Sequence, residues 1–218
     1  AMAAGDLRVR PWPLGAVWIL TAAAYGAKAF YTAAATPLIL DSDDAMRLTE
    51  VHDFLNGQSW FDLVQHRLNA PFGAPMHWSR LVDAPEAALL AILRPLAGSS
   101  ADTVAAYLWP SLLLLVLLWG TSRLALGLYG RAALRPALLL TPVSLVTLGE
   151  FAPGRFDHHS VQILLSLAIM GAAVAALERP RFAVGAGVAA AAALSIGIEG
   201  LPVVASAAMV FCFAWIAD

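Results

Sequence analysis

The stretch GEFAPGRFDHHSVQILLSL, residues 149–167, joins a polar segment containing glycine and proline to a long apolar run. Asp157, His158 and His159 stand immediately before that run. An apolar run of ~20 residues is long enough to cross the hydrocarbon layer of a membrane. Ionisable side chains at membrane depth are costly, so those present mark functional sites. The stretch therefore predicts a membrane helix that begins at a functional cluster.

The composition of the whole chain agrees with this interpretation. Hydrophobic residues make up 60% of the 218 residues and charged residues only 13%, and the mean hydropathy is +0.74. Soluble domains carry roughly 25% charged residues, so the composition predicts a membrane protein. A net charge of −2 offers no basic surface for nucleic acid, and we therefore expect no nucleic-acid partner.

Apolar windows predict six transmembrane helices in an all-α polytopic membrane protein, with residues 1–218 as a single transmembrane domain. The predicted spans are residues 13–35, 103–128, 132–148, 160–177, 182–198 and 201–216. Residues 85–98 form an apolar segment of only about ten residues before Arg94 and Pro95, which is too short for a span. We interpret that segment as an interfacial or re-entrant helix.

Arginine residues set the predicted orientation. They cluster before the first span, between the second and third spans, and between the fourth and fifth: Arg8 and Arg10; Arg123, Arg131 and Arg135; Arg179 and Arg181. Cytoplasmic loops are enriched in lysine and arginine. The pattern predicts a cytoplasmic N-terminus, and we expect the membrane to be a bacterial inner membrane. Residues 36–100 then form a first outer, periplasmic loop, and residues 149–159 a second.

The first outer loop is predicted to carry amphipathic helices. Residues 41–57, DSDDAMRLTEVHDFLNG, have apolar side chains on one helical face, with Asp41 or Ser42 as the N-cap. Residues 59–68 are predicted to form a second short helix. Residues 69–85 contain too much proline and glycine for regular structure.

Asp157 and His159 are candidate metal ligands. They lie two residues apart where a loop becomes a helix, so a carboxylate and an imidazole can reach one cation. Oxygen ligands favour Mg²⁺ or Mn²⁺, and an imidazole extends the choice to Zn²⁺. The alternative is that Asp157 caps the following helix while the histidines lie at the membrane interface.

A second acidic cluster, DSDD at residues 41–44, follows the first span on the same predicted face. Asp41, Asp43 and Asp44 are more acids than one N-cap needs, although a solvated acidic turn is an alternative for an isolated run. Because helices in a bundle pack together, the two clusters at the ends of different spans are expected to meet.

The two clusters resemble motifs of the catalytic subunit of oligosaccharyltransferases, within the superfamily of GT-C-fold membrane glycosyltransferases. In that family an aspartate after the first membrane helix is commonly followed six residues later by an arginine, as Asp41 is by Arg47. A second motif opens the fourth membrane helix, and its archaeal form, Asp-x-His, is similar to Asp157 and His159. The resemblance implies the N-terminal module of a GT-C fold.

The resemblance also implies an enzyme that moves a sugar or oligosaccharide from a polyprenyl-(pyro)phosphate donor to an acceptor, with Mg²⁺ or Mn²⁺ as cofactor. Asp41 would contact the metal and the acceptor as a catalytic residue, with Asp43 or Asp44 as the alternative. Asp157 and His159 would be metal ligands. A divalent cation suits this reaction because it neutralises charge on the leaving phosphate.

Further residues are candidates for substrate binding: His77, Trp78, Arg80, Arg155 and His158. An aromatic ring suits a sugar face and an arginine suits a phosphate. Trp78 as an interfacial anchor is the alternative. Glu199, at the outer end of the fifth span, either approaches the metal or is a helix-end residue in a polar cavity.

The chain departs from the oligosaccharyltransferase pattern because it lacks the Trp-Trp-Asp motif with which that family reads its acceptor. We therefore expect the N-terminal part of a larger enzyme or a reduced relative, with no assigned acceptor. One competing function is a non-catalytic transport or assembly subunit, although carriers place ionisable groups near the membrane midplane rather than at its rim. Another is a lipid-phosphate hydrolase using the same metal site.

Overall fold

The computed structural model describes residues 9, 11–32, 38–39 and 41–217. The structure is 78% helical, which confirms the predicted all-α class. Within the described residues the strands are limited to β1 (Val64–Gln65) and β2 (Ala74–Pro75), which pair antiparallel.

Helices follow one another along most of the described chain. They are α1 (Pro11–Thr32), α2 (Ser42–Leu55), α3 (Arg80–Ala97), α4 (Ala101–Tyr129), α5 (Leu134–Leu140), α6 (Leu145–Glu150), α7 (His159–Glu178), α8 (Phe182–Ile196) and α9 (Leu201–Ala217). Short 3₁₀ turns precede α4, α5 and α9 at Gly98–Ser100, Arg131–Ala133 and Ile198–Gly200.

Three helical segments of the described chain are long and apolar enough to cross a membrane, which indicates a membrane protein. They are Arg80–Tyr129, His159–Glu178 and Ile198–Ala217. These segments contain the second, fourth and sixth predicted spans. The fifth corresponds to α8, which is apolar but shorter. The first corresponds to α1, and its residues 33–35 lie outside the described residues.

The prediction of one helix at residues 132–148 is wrong. The segment forms two short helices, α5 and α6, separated by a turn. Pro142 lies in that turn, where its ring removes a backbone donor that a continuous helix would need. Ser144 then starts α6, because its hydroxyl accepts the Thr147 N–H at 3.2 Å.

The first predicted outer-loop helix is confirmed as α2, with Asp41 as its N-cap. The Asp41 carboxylate accepts the Asp43 N–H at 3.0 Å. The predicted second helix at residues 59–68 is wrong, since that segment holds turns and β1. There the Asp62 carboxylate accepts the Val64 N–H at 3.1 Å, a local side-chain bond that competes with helix formation.

Helix α3 begins at Arg80, within the stretch predicted to be irregular, because the Ser79 hydroxyl caps its first turn by accepting the Leu81 N–H. Gly98, with a φ of 55°, then reverses the chain, so that α3 packs against α4. Glycine adopts this left-handed conformation without steric cost.

Three apolar clusters hold the helices together. The first joins α2, α3 and α4, the second joins α1, α4 and α5, and the third joins α7, α8 and α9. Residues 151–158, the histidine loop, insert Phe156 into the first cluster and Phe151 into the second. Both rings are buried, so the loop that precedes α7 is fixed to two parts of the core.

Candidate functional site

The backbone of the histidine loop is fixed at Gly154. Its N–H donates to the carbonyl of Ala106 on α4 at 2.8 Å. Its φ is 95°, and a Cβ there would collide with the carbonyl oxygen of Leu38. Only glycine fits this close approach of two backbones.

Asp44 on α2 holds the end of the same loop. The buried Asp44 carboxylate accepts the N–H groups of Phe156 and Asp157, each at 2.7 Å. Burial raises the pKa of Asp44, while these N–H bonds and the nearby Arg155 charge act in the opposite direction. The first turn of α2 therefore sets the position of Asp157.

Arg155 connects the aspartates at the start of α2 with the acid at the end of α6. Its Nη1 lies 3.1 Å from Asp41 Oδ2 and 2.9 Å from Asp44 Oδ2, and its Nη2 lies 2.8 Å from Glu150 Oε2. Burial opposes the charge, but hydrogen bonds and ion pairs with these carboxylates raise the pKa of Arg155 above its usual value. The expected meeting of residues 41–44 with the histidine loop is present, with Arg155 as the link.

Asp157 and the two histidines form the centre of the site. Asp157 Oδ1 accepts the His158 N–H at 2.7 Å and lies 2.5 Å from His158 Nδ1. Its Oδ2 lies 3.3 Å from His159 Nε2. Burial by itself would raise the pKa of Asp157, but hydrogen bonds from His158 and the charges of both histidines hold it well below its usual range. The hydrogen bond to Asp157 raises the pKa of His158, against the effect of burial.

Glu199 completes the cluster from the start of the helical segment Ile198–Ala217. Its Oε1 contacts His158 Nε2. Ligand atoms of His158, His159 and Glu199 all lie within 4.8 Å of one another, and these three residues are called the metal-ligand cluster below. Three donors at this separation can bind one metal ion, with Asp157 adjacent to both histidines.

The donor set distinguishes among the expected metals. Two imidazole nitrogens and a carboxylate suit Mn²⁺ or Zn²⁺ better than Mg²⁺, which prefers an oxygen shell and retains waters. Zn²⁺ in catalytic sites commonly has three protein ligands of this kind and one open position. The residues present therefore fit a divalent transition-metal ion.

The charge around the histidine loop also favours a cation. In this part of the described structure the carboxylates outnumber the guanidinium groups that pair with them. The carboxylates are Asp41, Asp44, Glu150, Asp157 and Glu199, and the pairing guanidinium groups are Arg47 and Arg155. An excess of negative charge attracts a divalent cation and disfavours a free anion.

A cavity of about 380 Å³ lies beside the cluster, between Glu150 and the first two turns of α7. His159, Gln162, Ile163 and Ser166 form its helical side. This side therefore carries the His159 imidazole together with a hydroxyl and an amide, and Glu150 offers a carboxylate from the opposite side. A polar substrate group that enters this cavity reaches His159 directly.

Two of the predicted substrate-binding residues lie in the protein interior. Arg80 is buried and bonds to Asp83 at 2.9 Å and to the carbonyl of Asp62 at 2.7 Å. Trp78 is also buried, and the guanidinium carbon of Arg47 lies 4.5 Å from the centre of its ring. Both side chains contribute to packing between α2 and α3.

The other predicted site residues differ in position. Asp43 and His77 are exposed, and the His77 ring meets the edge of Trp78. Asp41 is also exposed, caps α2 and pairs with Arg155. Its contact is with Arg155 rather than with a histidine of the metal-ligand cluster. Arg155 and His158 lie within the site itself.

Two residues that the sequence interpretation did not select contribute directly to the site. Asp44 binds the backbone of the histidine loop next to the histidines, whereas the sequence analysis preferred Asp41. The sequence feature that could have identified Asp44 is its helical register. It lies four residues before Leu48 and seven before Val51, and therefore on the apolar face of α2. Glu199 was considered as a ligand without being selected, and it meets both histidines. Its signal was its place at the start of an apolar helix.

Comparisons of the chain with protein-family models, with curated proteins and with solved structures give no match. The resemblance to oligosaccharyltransferases therefore rests on residues 41–47 and 157–159. Any functional assignment has to be argued from the site itself.

Proposed function

We propose that this chain is a metal-dependent membrane glycosyltransferase with a GT-C-like module. It would move a sugar or oligosaccharide from a polyprenyl-(pyro)phosphate donor to an acceptor at the periplasmic face of a bacterial inner membrane, with its N-terminus in the cytoplasm. The observation that carries the proposal is the cluster of His158, His159 and Glu199 beside Asp157. The cluster lies where two apolar helical segments begin.

The chemistry of glycosyl transfer suits this cluster. The acceptor heteroatom forms a bond to the anomeric carbon while the bond from that carbon to the phosphate oxygen breaks. The acceptor loses a proton, and the leaving polyprenyl phosphate gains negative charge. His158, His159 and Glu199 would hold a divalent cation, which would supply the positive charge that neutralises the leaving phosphate. The leaving group is an anion on a lipid, which explains a cation site at the end of membrane helices.

Asp41 is the proposed contact for the acceptor. The N–H of Asp43 and then the guanidinium of Arg155 lower the pKa of Asp41, which makes it a weak base. A carboxylate of this kind orients an acceptor hydroxyl by accepting its hydrogen bond, before the proton leaves. Asp43, exposed on the first turn of α2, is the alternative for this role.

Binding of Mn²⁺ tests the metal site. Calorimetry on the purified protein in detergent should show one bound ion per chain in the wild type. We expect at least tenfold weaker binding in Asp157→Ala and in His159→Ala. Glu178→Ala, which alters an exposed acid at the far end of α7, is the matched control and should bind like the wild type. Unchanged binding in both site variants would overturn the metal site.

Sugar transfer tests the reaction. The wild type loaded with Mn²⁺ and incubated with a radiolabelled polyprenyl-phosphate sugar, with solubilised membranes as the source of acceptor, should move label from the lipid to acceptor. The His159→Ala variant should not. Retention of the label by the wild type across donors with different sugars would overturn the glycosyltransferase proposal and leave the metal site intact.

A lipid-phosphate hydrolase is the second candidate, and the donor set favours it specifically. Two histidines and a glutamate are the ligands with which catalytic zinc sites activate water. With polyprenyl phosphate or pyrophosphate that carries no sugar as the probe, a hydrolase adds water and releases inorganic phosphate, and with the sugar-bearing lipid it attaches no sugar to an acceptor. Phosphate release without sugar transfer would select this candidate.

A further inference from the structure

We propose that the cavity between α1 and α4 binds the first isoprene units of the lipid substrate. The proposal rests on the proposed function, because that function supplies a polyprenyl chain. The cavity has a volume of about 390 Å³, which lies within the range of ~300–1,000 Å³ found for ligand pockets.

The size of the cavity matches a short length of isoprenoid chain. At ~30 Å³ for each heavy atom, the volume that one water occupies in the liquid, 390 Å³ holds about 13 heavy atoms. Each isoprene unit has five carbons, so the cavity accommodates between two and three units. The remainder of a longer chain would lie in the surrounding lipid.

The surface of the cavity is mainly apolar, and two of its polar wall groups already have partners. Tyr25 donates its hydroxyl hydrogen to the carbonyl of Pro142 at 2.5 Å. The Trp18 indole N–H donates to two oxygens of Ser111. The carbonyl oxygen lies 2.7 Å away and the hydroxyl oxygen 3.1 Å away. The rest of the wall is mainly hydrocarbon and aromatic ring, including Leu108 and Phe151. Such a surface favours a hydrocarbon ligand.

The cavity is joined to the metal-ligand cluster by the histidine loop. Phe151 and Pro153 line the cavity, and Asp157 lies four residues beyond Pro153. Four residues of extended chain span no more than about 14 Å. The bond from Gly154 to Ala106 fixes the loop between the two places. A lipid phosphate at the cluster therefore has an apolar cavity within reach of its chain.

Farnesol and 1-dodecanol separate this proposal from the proposed function. Both probes lack phosphate and sugar, and both have a backbone of twelve carbons, so farnesol differs by its methyl branches and double bonds. Binding is measured by calorimetry in detergent in the presence of EDTA. We expect farnesol to bind the wild type at least tenfold more tightly than dodecanol.

Val104→Phe fills the cavity from α4 and should weaken farnesol binding at least tenfold. Val116→Phe is the matched control, because it makes the same change at an exposed position on the same helix outside the cavity lining. It should bind farnesol within twofold of the wild type. Ala22→Leu narrows the cavity from α1 and replaces Val104→Phe should that variant not fold.

Three outcomes overturn the cavity proposal. They are wild-type affinity for farnesol in the cavity-filling variant, equal affinities for farnesol and dodecanol, and absence of farnesol binding to the wild type. Mn²⁺ binding and sugar release, measured on the same preparations, report on the proposed function separately. Retained Mn²⁺ binding and sugar release with unchanged farnesol binding in Val104→Phe would remove the cavity proposal alone.

Discussion

Asp44 and Asp157 are directly bonded, since the Asp44 carboxylate accepts the Asp157 N–H at 2.7 Å across 113 positions of sequence. The acid that faces the histidines is therefore held by the first turn of α2, and not only by its own loop. Because the Asp44 side chain is buried, water does not substitute for it. The geometry of the candidate metal site thus depends on contact between the two predicted outer segments.

Replacing Asp44 by alanine is expected to destabilise the protein and to weaken metal binding together. The change leaves two N–H groups of the histidine loop without their acceptor and removes an ion pair with Arg155. Buried hydrogen bonds to charged groups are each worth ~1.5–3 kcal/mol, so a loss of roughly 3 kcal/mol is expected. Thermal unfolding and Mn²⁺ calorimetry measure the two effects.

Asp43→Ala is the matched control for stability. Asp43 is the neighbouring acid on the same turn, but it is exposed and contacts only Ser42, at 3.4 Å, through its side chain among the described residues. We expect the melting temperature of Asp43→Ala to stay within about 2 °C of the wild type, because surface substitutions usually change stability little. Equal losses in the two variants would contradict a special role for Asp44.

Glu199→Gln is expected to weaken Mn²⁺ binding at least tenfold with little effect on folding. Glu199 is partly exposed, and its carboxylate is the oxygen donor in the group with His158 and His159. The amide keeps the shape and removes the charge. Glu178→Gln makes the same change at an exposed position at the end of α7. Calorimetry of Mn²⁺ binding to both variants tests the proposed set of ligands. If Glu199→Gln bound Mn²⁺ with wild-type affinity, Glu199 would not be a ligand, and only the histidines and Asp157 would remain.

Glu50 is expected to make stability depend on pH. Burial, followed by the negative charge of Asp83, raises the pKa of Glu50 from 4.5 to about 7, while the charges of Arg47 and Arg80 oppose the change. Its folded pKa exceeds the unfolded value, so its stabilising contribution is complete below pH 4.5 and is lost as the pH rises through about 7. The full loss is on the order of 3 kcal/mol.

Melting temperatures between pH 4.5 and pH 8 test this expectation. The wild type should lose stability over this range, and Glu50→Gln, which cannot titrate, should lose less. Glu178→Gln removes an exposed acid and should keep the wild-type pH dependence. The same slope in Glu50→Gln as in the wild type would assign the dependence to other groups.

Local chemistry accounts for the parts of the fold that the sequence predicted correctly. The long apolar runs became α4, α7 and α9, and the capping aspartate and apolar register predicted α2. The errors occurred where a single residue outweighed a pattern. Pro142 interrupted an apolar window, and a bond from the Asp62 side chain replaced a helix with turns. Hydropathy averaged over a window does not include the effect of a single proline or of one side-chain hydrogen bond.

The site was predictable in outline, because the two acidic clusters and the histidines were identified from residue type and spacing. Spacing to Arg47 favoured Asp41, although the register of Asp44 on the apolar face of α2 points toward the core. In the fold Asp41 contacts the Arg155 side chain, and Asp44 accepts backbone N–H groups of the histidine loop. Spacing could not reveal that Arg80 and Trp78 would be enclosed by partners from α2 and its neighbouring loops. These are tertiary contacts between residues distant in sequence, and periodicity carries no information about them.

Gly154→Ala is expected to disrupt the histidine loop, and Gly149→Ala is its internal control. At Gly154 a Cβ meets the Leu38 carbonyl and the backbone is left-handed, whereas at Gly149, within α6, a Cβ meets nothing within 4 Å. Alanine at a left-handed position costs roughly 1–2 kcal/mol before any collision. In the helix alanine is favoured over glycine by up to ~1 kcal/mol. Gly154→Ala should therefore lower the melting temperature and weaken Mn²⁺ binding, while Gly149→Ala should leave binding unchanged. If Gly154→Ala bound Mn²⁺ with wild-type affinity, the cluster would form without the fixed loop, and the link between the α1–α4 cavity and the metal site would lose its structural basis.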